Sequence, residues 1–128
     1  MNIVHGKSYL ECTFDEFWKE LVSPRMVGET KDDVIKTLQG ESKLTPRYRI
    51  PGADVNRDIF FNNLELLRRF ASFPTPTQAK ILASIRWALK EHNAEQMFIE
   101  VPWSKTKTRK LLIRASGSNY ECLDFEII

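Results

Sequence analysis

The hydrophobic pattern of this chain changes period once, near residue 95. Upstream of it apolar residues recur at helical spacing, and downstream they alternate. Thr13-Phe14-Asp15-Glu16 has the form of a capping box, in which the Thr hydroxyl accepts from the third amide and Glu16 reaches back to the cap. Phe14, Phe17, Trp18 and Leu21 then fall on one helix face, bounded by Pro24. Thr30 opens a second short helix, with Asp32 and Asp33 in the first turn, where the helix dipole favours acids. Val34, Ile35 and Leu38 form its apolar side, and Gly40 suits its end. A third helix is predicted from about Asn56 to Ser72. Ile59, Phe60, Leu64, Leu67 and Phe70 wind around one broad face of it, and Phe61 and Leu66 widen that face. A helix this apolar is buried on more than one side. Thr75-Pro76-Thr77-Gln78 predicts the start of a fourth, with Thr at the cap, Pro at the first helical position and Gln at the third. Its stripe is Ile81, Leu82, Ile85, Ala88 and Leu89, and it runs to about Asn93. The short connection makes the last two helices an antiparallel pair.

Three alternating runs follow: Met97, Ile99 and Val101; Leu111, Ile113 and Ala115; Leu123, Phe125 and Ile127. Ser116-Gly117-Ser118-Asn119 supplies turn chemistry between the second and third. Two weaker signals lie upstream. Ser8–Cys12 alternates enough for a short strand, and Arg47-Tyr48-Arg49-Ile50 suits an edge strand or a loop. The expected architecture is a single α+β domain over residues 1–128. About four helices, two short N-terminal ones and then the antiparallel pair, would pack on one face of a C-terminal three-stranded antiparallel β-meander.

Composition narrows the class. The chain has 128 residues, 42% hydrophobic and 11% aromatic, enough to fill a core without disulfides or metal. Cys12 and Cys122 lie at opposite ends and do not make a disulfide framework, so reduced thiols and a cytoplasmic location are expected. The N-terminal run lacks a basic region followed by an apolar stretch, so no secretory leader and no membrane partner are expected. The net charge of +2 is uninformative, but its distribution is not. Residues 96–118 carry Lys105, Lys107, Arg109, Lys110 and Arg114 against Glu100 alone, and the last ten residues carry only acids.

No phosphate loop, CxxC pair or HExxH is present, and no cofactor is expected. His5, His92, Cys12 and Cys122 lack zinc-ligand spacing, so no metal site is expected either. The segment above background is Pro102-Trp103-Ser104-Lys105-Thr106-Lys107-Thr108-Arg109-Lys110. Trp beside Lys and Arg suits base stacking with cations on phosphates, and equally an anchor in a protein interface. Against both stands a plain packing role, in which Trp103 continues the inward row of Met97, Ile99 and Val101. Aligning the apolar faces of the last two strands also sets Lys110 near Glu126, and Arg114 near Cys122 and Asp124. Lys105, Lys107 and Arg109 are then the free cations, which Arg47 and Arg49 would extend if they share a face.

Three functions fit. The first is a non-catalytic regulator, an inhibitor or accessory subunit, acting through protein contacts. A nucleic-acid-processing complex is a setting that the local charge suits. The second is direct DNA or RNA binding through residues 103–110. The third rests on layout alone. A helical pair followed by an antiparallel meander is similar to the layout of bacterial RelE-like toxins. That resemblance implies a metal-independent ribonuclease, with Lys105, Arg114 and Tyr120 as its candidates.

Overall fold

The computed structural model describes residues 8–25, 31, 32, 35, 48, 49 and 59–128. It holds a mixed six-stranded sheet: β1 (Tyr9–Thr13), β2 (Tyr48–Arg49), β3 (Ile59–Phe61), β4 (Gln96–Pro102), β5 (Thr108–Ser116) and β6 (Cys122–Ile127), in the order β1-β4-β5-β6-β3-β2. The expected three-stranded meander with four helices is therefore incorrect. β4, β5 and β6 are antiparallel neighbours, but β1 extends the sheet parallel to β4, and β3 extends it parallel to β6. All three added strands, β1, β2 and β3, come from the N-terminal half, where short strands leave little periodic signal.

The main error lies at residues 56–72. Ile59-Phe60-Phe61 is a strand, and the helix α2 spans only Leu64–Ala71. Asn63 separates them: it is 2% exposed, and its Oδ1 accepts from the Leu66 N–H at 3.0 Å. A buried Asn at that point is an N-cap, so the helix begins there. A three-residue apolar run cannot be assigned by period alone, and pairing with β6 decides it.

The first helix begins as predicted. Thr13 Oγ1 accepts from the Glu16 N–H, and Glu16 Oε1 accepts from the Thr13 N–H, both at 3.2 Å. One α turn, α1 (Phe14–Glu16), passes into a π-helical stretch over Phe17–Val22 and a 3-10 turn over Ser23–Arg25. Lys31, Asp32 and Ile35 are helical; the rest of the expected second helix lies outside the described residues, as do His5 and Arg47.

The long helix α3 covers Thr75–Glu91. Its cap is Pro74 rather than Thr75, and no side chain caps it. Gln78 instead turns back, and its Nε2 donates to the Phe73 carbonyl at 2.9 Å, closing the end of α2.

The helices cover one face of the sheet. Leu10, Cys12, Ile59, Phe61, Met97, Ile99, Val101, Leu111, Ile113, Leu123, Phe125 and Ile127 point into that core. The other face carries Tyr9, Glu11, Phe98, Lys110, Arg114 and Glu126, with Leu112 buried among them.

Candidate functional site

The β4–β5 hairpin ends its ladder at the Pro102–Thr108 pair. Its five-residue loop is tied internally. Trp103 and Ser104 N–H groups both donate to the Lys107 carbonyl, at 2.9 and 3.1 Å. Ser104 Oγ accepts from the N–H groups of Lys107 (3.1 Å) and Thr106 (3.4 Å). Such short polar side chains hold turns in place of backbone partners. The tip is thus tied within itself.

Trp103 continues the inward row and packs, half-buried, against the core. Arg109 stands opposite Val101 on that same face, and its guanidinium carbon lies 5.7 Å from the Trp103 ring centroid. This is cation–π distance. Lys105 and Lys107 project into solvent beside the pair.

The remaining cations divide differently from expectation. Lys110 reaches Glu11 on β1 at 2.9 Å and also covers the Phe98 ring, rather than meeting Glu126. Glu126 pairs with Arg114 at 3.6 Å, and Arg114 stands in register with Asp124. No local pattern places β1 beside β4, so the sequence does not show the Glu11 carboxylate as a partner of Lys110. Its hydrogen bond and charge hold the Lys110 ammonium above its usual range.

Arg49 lies in a ladder row that runs Arg49–Phe60–Asp124–Arg114. This row is near the end of β5 remote from the hairpin, three strands across and about 20 Å along. Arg49 and the loop are not brought together. Nor are Lys105, Arg114 and Tyr120, because Lys105 is at the opposite end of β5 from the other two.

A cleft of about 470 Å³ opens at the base of the hairpin, lined in part by Thr13, Asp15, Lys31, Asp32, Glu100 and Thr108. Asp15 and Lys31 form an ion pair across it. Lys31 holds the Asp15 carboxyl below its usual range, chiefly through their hydrogen bond, and is itself raised by it. At the far end of the sheet, a second cleft of about 370 Å³ is bordered by Ser8, Glu95, Ser116 and Tyr120. The turn beside it is fastened by Arg86, whose Nε and Nη2 donate to the carbonyls of Tyr120 (3.0 Å) and Glu121 (3.1 Å).

Cys12 faces the core and Cys122 the opposite side of the sheet, so the two cannot share an ion or a bridge. Burial, and then the neighbouring Glu16 and Glu11, push the Cys12 thiol up to about 12. Among the described residues no group of three His, Cys, Asp or Glu could hold a metal. His92 is the C-cap of α3, as its position near the helix end implied.

Two features escaped the sequence reading. Trp87 is 44% exposed on α3, and its place off the helix stripe signals this. The Glu11–Lys110 pair spans ninety-nine positions and leaves no local signal. Among the described residues no helix is long and apolar enough to cross a membrane. No protein-family model, curated protein or solved structure matches the chain.

Proposed function

We propose that this chain is a non-catalytic binding protein that engages a protein partner through the hairpin tip. The partner presents an acidic surface to Lys105, Lys107 and the Trp103–Arg109 pair. What supports this most is how Trp103 is held. One side of it packs on the core, and Arg109 lies over the ring. A base would have to displace Arg109 to stack, whereas a protein interface uses a Trp and Arg pair as it stands. The tied loop adds to this, because a tip tied within itself loses less entropy on binding. An inhibitor or accessory subunit of a nucleic-acid-processing complex fits this chemistry.

Direct nucleic-acid binding is the second reading, supported by the exposed Lys105 and Lys107. Its electrostatic term is small. Neutralising two or three phosphates gives a log–log salt slope of only about −2 to −3. For a ribonuclease, the separation of Lys105 from Arg114 and Tyr120 leaves no single centre built from those three.

The test is a pull-down from native lysate with the full chain and with a Trp103→Ala/Lys105→Glu/Lys107→Glu variant of unchanged circular dichroism. A protein retained by the wild type and released by the variant is expected. Equal retention by both, or recovery of nucleic acid alone in low salt, refutes the proposal.

A further inference from the structure

Among the described residues the sheet ends on β2, of two residues, and on β1, of five. β1 joins β4 in parallel, and the Gln96 N–H donates to the Ser8 carbonyl at 3.2 Å, which sets the phase of that ladder. In a parallel ladder, alternate residues address the neighbouring strand. Leu10 and Cys12 therefore follow Ser8 toward β4. Tyr9, Glu11 and Thr13 turn their N–H and C=O groups away from the sheet. The Thr13 N–H is already taken by the Glu16 carboxylate. The N–H and C=O groups of Tyr9 and Glu11 are left, and among the described residues nothing pairs with them.

Sheet edges are usually guarded by a charge, a proline or a bulge. The charge within this strand is Glu11, and Lys110 draws its carboxylate over the outer face at 2.9 Å. The guard is thereby neutralised. Beside it, Tyr9 and Phe98 form an edge-to-face pair with centroids 6.0 Å apart.

We propose that β1 is a strand-addition site, which takes an extended segment of a partner protein as a further strand. The segment alternates in character. Its inward residues are apolar, in line with Leu10 and Cys12, and an aromatic or β-branched residue lies against Tyr9. A second copy of this chain is a poorer occupant. Five residues a side fall well short of the roughly 20–30 of a stable interface. The site is independent of the hairpin tip and stands or falls separately from it.

The test pans a phage-displayed library of random peptides against the immobilised full chain. Amide hydrogen exchange is then followed by NMR with a selected peptide bound. Exchange at the Tyr9 and Glu11 amides should slow about tenfold or more. Methylating the peptide's edge-facing amides should abolish binding, as should Glu11→Pro, which removes one outward N–H. Trp103→Ala should retain it. Selection that yields no peptide, or peptides that leave these two amides unchanged, overturns the proposal. So does protection of the same amides without peptide, together with a dimer in sedimentation, which makes the occupant a second copy. The exchange measurement on wild-type protein decides the matter if Glu11→Pro does not fold.

Discussion

Phe60 and Phe61 are adjacent aromatics whose roles exchange between a helix and a strand. On a helix, Phe60 shares the core face with Leu64 and Leu67, and Phe61 lies to one side. On β3, Phe61 is fully buried and Phe60 points to the other face. The Phe61 ring stacks on Phe125 at 4.9 Å between centroids and lies 5.5 Å from Phe70. A void of about 20 Å³ already borders all three. Truncation to Ala removes about 2.5 kcal/mol of transfer free energy. A residual cavity on the order of 60 Å³, at about 24 cal/mol per Å³, adds about 1.5 kcal/mol. Phe61→Ala should therefore destabilise the fold by about 4 kcal/mol, a large part of a typical total of about 5–15. Phe60→Ala, at a half-buried position, should cost about 1 kcal/mol. Urea unfolding followed by fluorescence of the three tryptophans measures both. Phe61→Leu, expected to cost about 1–1.5 kcal/mol, serves if the Ala variant does not fold. A Phe60→Ala loss equal to or larger than that of Phe61→Ala would refute the strand and the packing derived from it.

Other outcomes follow from single groups. Because the folded Cys12 thiol titrates near 12 against an ordinary 9.0, the native state holds its proton across that interval while the unfolded chain loses it. The contribution of this thiol to stability is thus full below pH 9.0 and is lost as pH rises toward about 12; Cys12→Ala should show a shallower loss in alkaline urea titrations. At pH 8, a thiol reagent should label Cys122 in the native protein and reach Cys12 only on unfolding. Gly117 has φ of +90°, and an added Cβ would lie 2.4 Å from the Glu121 carboxylate, so Gly117→Ala should lower stability by about 1–2 kcal/mol in thermal melts. Arg86→Met removes both hydrogen bonds to the Tyr120 and Glu121 carbonyls. It should cost about 1–3 kcal/mol and speed amide exchange in the β5–β6 turn.

The sequence by itself determined what neighbouring residues settle between them. The Thr13–Glu16 capping box, the long helix after Pro74 and the three C-terminal strands are local patterns, and each was legible. Even the phase of Trp103 was open to reading, because alternation carries the inward row through Val101 to it. Tertiary structure decided the rest. Whether Ile59-Phe60-Phe61 is helix or strand depends on β6, more than sixty positions away, and the Asn63 cap enforces the answer. β1 joins the sheet only through β4, so neither the mixed topology nor the Glu11–Lys110 pair could be read from adjacent residues. The candidate site divides in the same way. Its residue types were visible in the chain, but which cations stay free is set by strand order. That order brings Glu11 to Lys110 and Glu126 to Arg114, carries Arg49 to the far side, and leaves Lys105 and Lys107 in solvent beside a Trp that Arg109 already covers.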